Sequence, residues 1–524
     1  MEEFHWRAYK MSASRAKNIG KNSLISILSQ LLIIVAGFFS QRVINVKLGT
    51  ELVGLNGVIS NVIAVFSVSE LGLSTAIVFH LYRVLAQARE EKIAALMNLY
   101  RRAYLVVAGV ITLLGLAFLP FFHLFTKENH FALSYVRLIY VLWLVKTVLG
   151  YLPSYKRSIL IADQREYVSS LLAMTATILQ YFSIIVIILL GGKYEWALSL
   201  SIFFDVIMNC VMIAYVNQTY PYLRRSHGRL EDKGLAQSIF IDVKNLFATR
   251  IAQKLLGSTD NLILSSFINL SIVGFYSNYC LITQSLINVM QALSGALQPT
   301  IGNLIVEEDR DRDQELLQAF TFVFFFLAAI ITCGVAGLAS IFVGDIWLGE
   351  EFLLPIPTVF FLSVNCMLYI MSLPIGAFIS ASGLFQFEKK IALSAAIVNL
   401  LLSLVLVQPL GLPGVLTGTL AAYLILIIGK SVGFCRLYLQ KACGGYLMQL
   451  LEYGALSVAE GATCVYLTGK LCGTFTLFGF LGALVVCVIF PCGINGLLFY
   501  RSKRTKSLLV LVKKYVRNVK KTPK

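Results

Sequence analysis

The stretch Gln41-Arg42-Val43-Ile44-Asn45-Val46-Lys47-Leu48-Gly49-Thr50-Glu51-Leu52-Val53-Gly54-Leu55-Asn56-Gly57 is the turn of a long hydrophobic hairpin. Its first arm, Asn18 to Asn45, is long and apolar enough to cross a bilayer. The second arm returns from Leu55 to about Tyr82. Arg42 and Glu70 lie inside these arms, where a charge is costly, so each should face protein or water rather than lipid. At about 100° per residue, Asn56, Ser60, Ser67, Glu70 and Ser74 form one narrow stripe. Such a stripe either bonds to a neighbouring helix or walls a water-filled cavity.

The rest of the chain repeats this kind of segment. Of 524 residues, 58% are hydrophobic and only 14% charged, with a mean hydropathy of +0.78. About 14 apolar runs of roughly 20 residues follow one another with short polar gaps, the pattern of an all-α, multi-pass membrane protein. The first run is a full span, so it is expected to be an uncleaved anchor. Lys and Arg gather in every second connection, as in Lys156-Arg157, Arg224-Arg225, Lys389-Lys390 and the tail Arg501-Lys503-Arg504. The positive-inside rule then places these connections and both termini in the cytoplasm, in the cell membrane. The net charge of +17 thus has a membrane explanation, and no nucleic-acid partner is needed. The ten cysteines form no CxxC pair and read as small core residues.

The two halves match at an offset of roughly 220 residues, as internal repeats of transporters do. Val53-Gly54 aligns with Val273-Gly274, the Pro153 segment with the Pro374 segment, and Gly191 with Gly411. The stripe of the second span falls on Ser277, Gln284, Asn288 and Gln291 of the eighth. A repeat of six spans is even, so both halves share one orientation. The expected organisation is a first lobe over 1–217, a cytoplasmic link over 218–246 and a second lobe over 247–441. Two extra spans follow over 442–500, then a basic tail over 501–524. Within the link, Leu235, Ile239, Val243 and Leu246 have the spacing of an amphipathic helix on the inner leaflet. Pro355, Pro357 and Pro374 are expected to break the tenth span.

The chemistry is carried by charges at depth. Arg42, Lys146, Arg250 and Lys254 are the cations. Glu70, Asp205 and Asp260 are acids that could pair with them, and Arg250 and Lys254 could equally sit at the cytoplasmic boundary. The functional reading is an electropositive cavity for an anionic head group, since arginine bonds two phosphate oxygens at once and lysine acts as a point charge. Asn56, Gln284 and Asn288 would add polar contacts for such a cargo. No phosphate-binding loop is present: Gly20-Lys21-Asn22-Ser23 lacks the upstream glycine spacing. The outer loops are too short for a catalytic domain, which makes an enzyme the weaker class.

Several stretches resemble Wzx-type oligosaccharide flippases, of the MOP superfamily that includes MATE drug exporters and lipid II flippases. The likeness is carried by Gln41 to Gly57, Ser69-Glu70-Leu71-Gly72-Leu73-Ser74, Ile161-Ala162-Asp163-Gln164, Ser258-Thr259-Asp260-Asn261 and Val273-Gly274-Phe275-Tyr276-Ser277-Asn278-Tyr279. It implies a MATE-like fold of two pseudo-symmetric six-helix lobes around a central cavity, plus two C-terminal helices. It implies a cargo of oligosaccharide repeat units on polyprenyl pyrophosphate, moved from the inner to the outer leaflet for capsule or exopolysaccharide synthesis. A polysaccharide polymerase and other export machinery, with membrane lipids, are the partners it implies. Arg42 matches a first-helix arginine usual in the family, whereas Lys146 matches no family motif. The superfamily implies coupling to a proton or sodium gradient, for which Glu70, Asp205 and Asp260 are candidates, and no other cofactor. Drug export, and flipping of lipid II or teichoic-type precursors, are the alternatives on the same fold.

Overall fold

The computed structural model describes residues 28–67, 90–125, 131–163, 165–225, 259–305, 310–382, 384–471 and 477–502, with isolated positions at 25, 81, 84, 85 and 257. Among them there is no strand. Ten helices are long and apolar enough to cross a membrane, which makes this a multi-pass membrane protein. The stretch holding Glu70 and Ser74, the amphipathic link, Arg250, Lys254 and the basic tail beyond Ser502 lie outside the described residues.

The opening hairpin is α1 (Leu28–Leu48) and α2 (Thr50–Phe66). Gly49 joins them at φ 87°, a left-handed conformation that glycine adopts without steric cost. Glu51 occupies the first turn of α2, where a carboxylate suits the positive end of the helix dipole. α3 (Glu90–Phe118) follows. The apolar run suggests a start at Ala103, but Glu90 to Arg102 are already helical.

α4 (Leu133–Tyr151) and α5 (Ser154–Ala162) are separated at Leu152-Pro153. Proline lacks the N–H that would reach back one turn, so the helix stops there. The Ser154 hydroxyl then donates to the Gly150 carbonyl at 3.0 Å. α6 (Glu166–Leu189) and α7 (Tyr194–Thr219) form the next antiparallel pair. Asp163 ties this region together. It accepts a hydrogen bond from the Tyr220 hydroxyl at 2.7 Å and pairs with Arg165 Nε at 3.0 Å. Burial, then the neighbouring Asp163 carboxylate, pushes the Tyr220 phenol well above its ordinary range, so it stays a donor.

Beyond these come α8 (Leu270–Ile305), α9 (Arg310–Ile341), α10 (Ile356–Ser382), α11 (Phe385–Leu410), α12 (Leu412–Phe434), α13 (Gly444–Leu471) and α14 (Leu477–Phe499). α8 and α13 are long enough to span but are not among the ten apolar helices. Pro355 and Pro357 do not break the tenth span. They open α10, where a missing N–H costs nothing, and only Pro374 lies in its interior.

The chain divides into two compact units, Met1–Gly274 and Phe275–Lys524. The core of the first gathers Tyr100, Tyr104, Ile111, Leu144, Ile159 and Val216. Tyr140 crosses to α3 and donates to the Gly115 carbonyl at 2.9 Å. In the second, α9 and α10 are the most enclosed of the apolar spans. An aromatic cluster fixes the last two helices to α9: Phe325 stacks on Tyr453 at 4.1 Å, and Phe499 meets both rings edge-on.

The sequence match between halves has local counterparts. Gly191 ends α6 at φ 79° and Gly411 ends α11 at φ 64°. The break at Gly49 corresponds to one at Asn269, whose side chain accepts from the Ile272 N–H at 2.9 Å to cap α8. Gly54 and Gly274 are reciprocal: a Cβ on Gly54 would lie 2.0 Å from the Leu270 carbonyl oxygen, and one on Gly274 would lie 2.2 Å from that of Thr50. Only glycine allows backbones so close. Pro153 and Pro374 differ, one ending a helix and the other lying inside one.

Candidate functional site

A cavity of about 390 Å³ opens among α4, α5, α6 and α7, within the first unit. Trp143, Lys146 and Gly150 line it from α4, and Ser154 and Arg157 from α5. Ser169, Ala173, Ala176 and Thr177 come from α6, and Asp205 and Asn209 from α7. The space exists because α6 presents mostly small side chains there.

Lys146 is the centre of its polar chemistry. Its ammonium donates to Gln180 Oε1 at 2.6 Å, lies 3.5 Å from Asp205 Oδ2 and sits 5.4 Å from the centre of the Trp143 ring. Gln180 and Asp205 engage two of its three hydrogens, leaving one for an incoming oxygen. Both members keep some exposure, 15% for Lys146 and 25% for Asp205, so the pair is screened more than a buried one. Trp143 donates from Nε1 to Asn56 Oδ1 at 3.1 Å, and buried Tyr194 lies beside both. A continuous polar path therefore runs from Asn56 on α2 through Trp143 to Lys146 and Asp205.

Of the residues singled out in the sequence, the structure thus brings together Lys146, Asp205 and Asn56. Arg42 lies on an exposed face of α1, outside this cavity's lining. Gln284 and Asn288 bond each other along α8, from Gln284 Nε2 to Asn288 Oδ1 at 2.9 Å. Gln291, next in that stripe, donates to the Tyr369 hydroxyl. Asp260 is buried in the first unit. Arg250, Lys254 and Glu70 lie outside the described residues.

Sequence reasoning missed Gln180, Trp143, Asn209 and Arg157. Arg157 was grouped with the cytoplasmic basic residues, and a helical projection from Lys146 through Gly150 toward the proline would have put it near the same space. Its neighbour Lys156 is buried and donates to Asn217 Oδ1 at 2.5 Å. Among the described residues no group of three or more His, Cys, Asp and Glu could hold a metal ion.

No protein-family model matches the chain, and no curated protein does. Solved structures do. The lipid II flippase MurJ, in an inward closed conformation, is similar at a TM-score of 0.65 and 14% identity, over 91% of this chain and 99% of that one. An inward-facing multidrug resistance MATE family transporter of the MOP superfamily gives a TM-score of 0.63 at 13% identity, over 79% and 98%. A MOP superfamily transporter from Pyrococcus furiosus, noted for the reverse polarity of its binding pocket, gives 0.58 at 13% identity, over 82% and 97%. The chain shares the fold of these MATE and MurJ structures.

Proposed function

We propose that this protein is a flippase of the Wzx type. It moves oligosaccharide repeat units linked to polyprenyl pyrophosphate across the cytoplasmic membrane, by alternating access, for capsule or exopolysaccharide synthesis. The observation that carries the proposal is the charge of the cavity among α4–α7, where Lys146 and Arg157 face a single carboxylate, Asp205. A phosphate-bearing head group suits such a lining, because its oxygens replace the water that the cations give up. The similarity to a lipid II flippase supports a lipid-linked cargo. Arg42, Arg250 and Lys254 add positive charge, and Asn56, Gln284 and Asn288 add hydrogen bonds to sugar hydroxyls. Glu70, Asp205 and Asp260 are the proposed coupling acids for protons or sodium. The working lobes are residues 1–217 and 247–441, joined by 218–246, with 442–500 and the tail 501–524 appended and both termini in the cytoplasm.

The test is glycan export in cells carrying Lys146→Ala or Arg42→Ala at normal protein abundance. Export should fall with accumulation of lipid-linked repeat units inside. Wild-type export by both variants would end the cationic reading. A second reading, export of an organic cation, is favoured by Asp205 and Trp143 in the same cavity. It predicts drug resistance that Asp205→Asn abolishes and that Lys146→Ala leaves intact.

A further inference from the structure

The second unit holds a carboxyl that the proposed transport reading does not use. Glu460, on α13, is 2% exposed, and Asn495 of α14 and Ser457 of α13 are fully enclosed beside it. Asn495 Nδ2 donates to Glu460 Oε2 at 3.3 Å. Glu460 Oε1, Asn495 Oδ1 and Ser457 Oγ have no hydrogen-bond partner. The site therefore holds two bare acceptor oxygens, Glu460 Oε1 and Asn495 Oδ1, and a Ser457 hydroxyl that bonds neither.

Among the described residues no cation relieves it. α10 and α14 carry no charged residue, and the charges of α9 all lie in its first two turns, Arg310 to Glu315. On α12 the one charge is Lys430, which is bonded to Glu388 at 2.7 Å. On α13 itself the other charges are Glu452 and Lys470, both two turns or more away, and the Lys470 ammonium rests over the Tyr466 ring. No histidine follows His227 in the chain. The remaining titratable groups at this level are thiols: Cys464 one turn along α13, Cys333 of α9 and Cys487 of α14. The Thr332 hydroxyl on α9, packed against Gly461, is spent on the Ala328 carbonyl.

A bare carboxylate in such surroundings pays a desolvation cost that the single 3.3 Å bond from Asn495 offsets only in part. A proton removes the charge and supplies the missing donor. We propose that Glu460 is a proton-binding site in the pair of helices that follows the repeat. It is loaded while α13 and α14 are packed on α9, and releases its proton when water reaches the carboxyl. Asn495 is its hydrogen-bonding partner, and the helix pair thereby becomes sensitive to proton activity. The site is defined without reference to the cargo, so it stands or falls apart from the flippase reading.

The experiment uses the full-length protein in lipid nanodiscs. Infrared spectra should show a neutral-carboxyl band at neutral pH that disappears in Glu460→Gln and persists in Glu452→Gln. On the wild-type protein, which removes any question of folding, dicyclohexylcarbodiimide reacts only with protonated carboxyls. Mass spectrometry should find its adduct on the Glu460 peptide, diminishing as pH rises and unchanged by sodium chloride at fixed pH. A band identical in wild type and Glu460→Gln would overturn the proposal. Protection of Glu460 by sodium, at constant pH and ionic strength, would also overturn it, by making the occupant a metal cation.

Discussion

Lys146 serves two possible masters, its neighbours and a ligand, and the geometry allows them to be separated. Removing one member of the Lys146–Asp205 pair leaves the other charge partly enclosed, at a cost of roughly 1–2 kcal/mol, below that of a fully buried pair because both keep some exposure. The double variant Lys146→Gln/Asp205→Asn should recover most of that stability, read as thermal unfolding in detergent. If Lys146 also holds a cargo oxygen, the double variant recovers stability and not export. A structural pair would recover both. Tyr220→Phe offers a simpler case. It removes one hydrogen bond to Asp163 and should cost about 1 kcal/mol. Asp163 was legible in the sequence only as part of a family motif. Its physical reason, a staple between the end of α5 and the end of α7, needed coordinates, since Tyr220 is far along the chain.

At the scale of elements, the close approach of α2 to the start of α8 depends on two glycines. Gly54→Ala and Gly274→Ala each drive a methyl into a backbone carbonyl, which cannot rotate away, so each should destabilise by ~1–3 kcal/mol. Combining them should cost less than the sum, because the shift forced by one makes room for the other. Gly109 on α3 is the control. A Cβ there meets nothing within 4 Å, and Gly109→Ala should stabilise by about 0.5–1 kcal/mol through helix propensity. Unfolding midpoints of these variants check the contrast. The sequence showed Gly54 and Gly274 as aligned positions, because an offset is a linear property. It could not show that the aligned residues touch. Pro153 and Pro374 show the opposite failure: equal spacing, but one helix ends and the other continues, since a proline's effect depends on what else can satisfy the freed carbonyl.

For the whole molecule, some apolar runs were readable almost to the residue. Hydrophobic length is set by the bilayer and needs no partner. The expected span Tyr167 to Leu190 is the helix Glu166–Leu189, and Trp196 to Asn217 is Tyr194–Thr219. The site was less readable. Lys146 and Asp205 could be named as costly residues, but their pairing, and the lack of a cation beside Glu460 among the described residues, are properties of packing. Orientation is the prediction at this scale. A reporter that works only in the cytoplasm should be active when fused after Ser502, and one that works only outside should be active when inserted at Gly191–Gly192. The reverse pattern would invert the proposed direction of transport.

The cavity among α4–α7 is walled by Gly150, Ser154, Ser169, Ala173, Ala176 and Thr177. This small-residue part of the lining has almost nothing left to trim. Truncating side chains there yields little new room, whereas growth is easy, since a Cβ on Gly150 enters open space. At these positions selection acting on single residues can therefore narrow the range of guests and hardly widen it. Room for a bulkier guest would have to come from Trp143, Tyr151, Leu172, Met208 or Met212, the large side chains of the same lining.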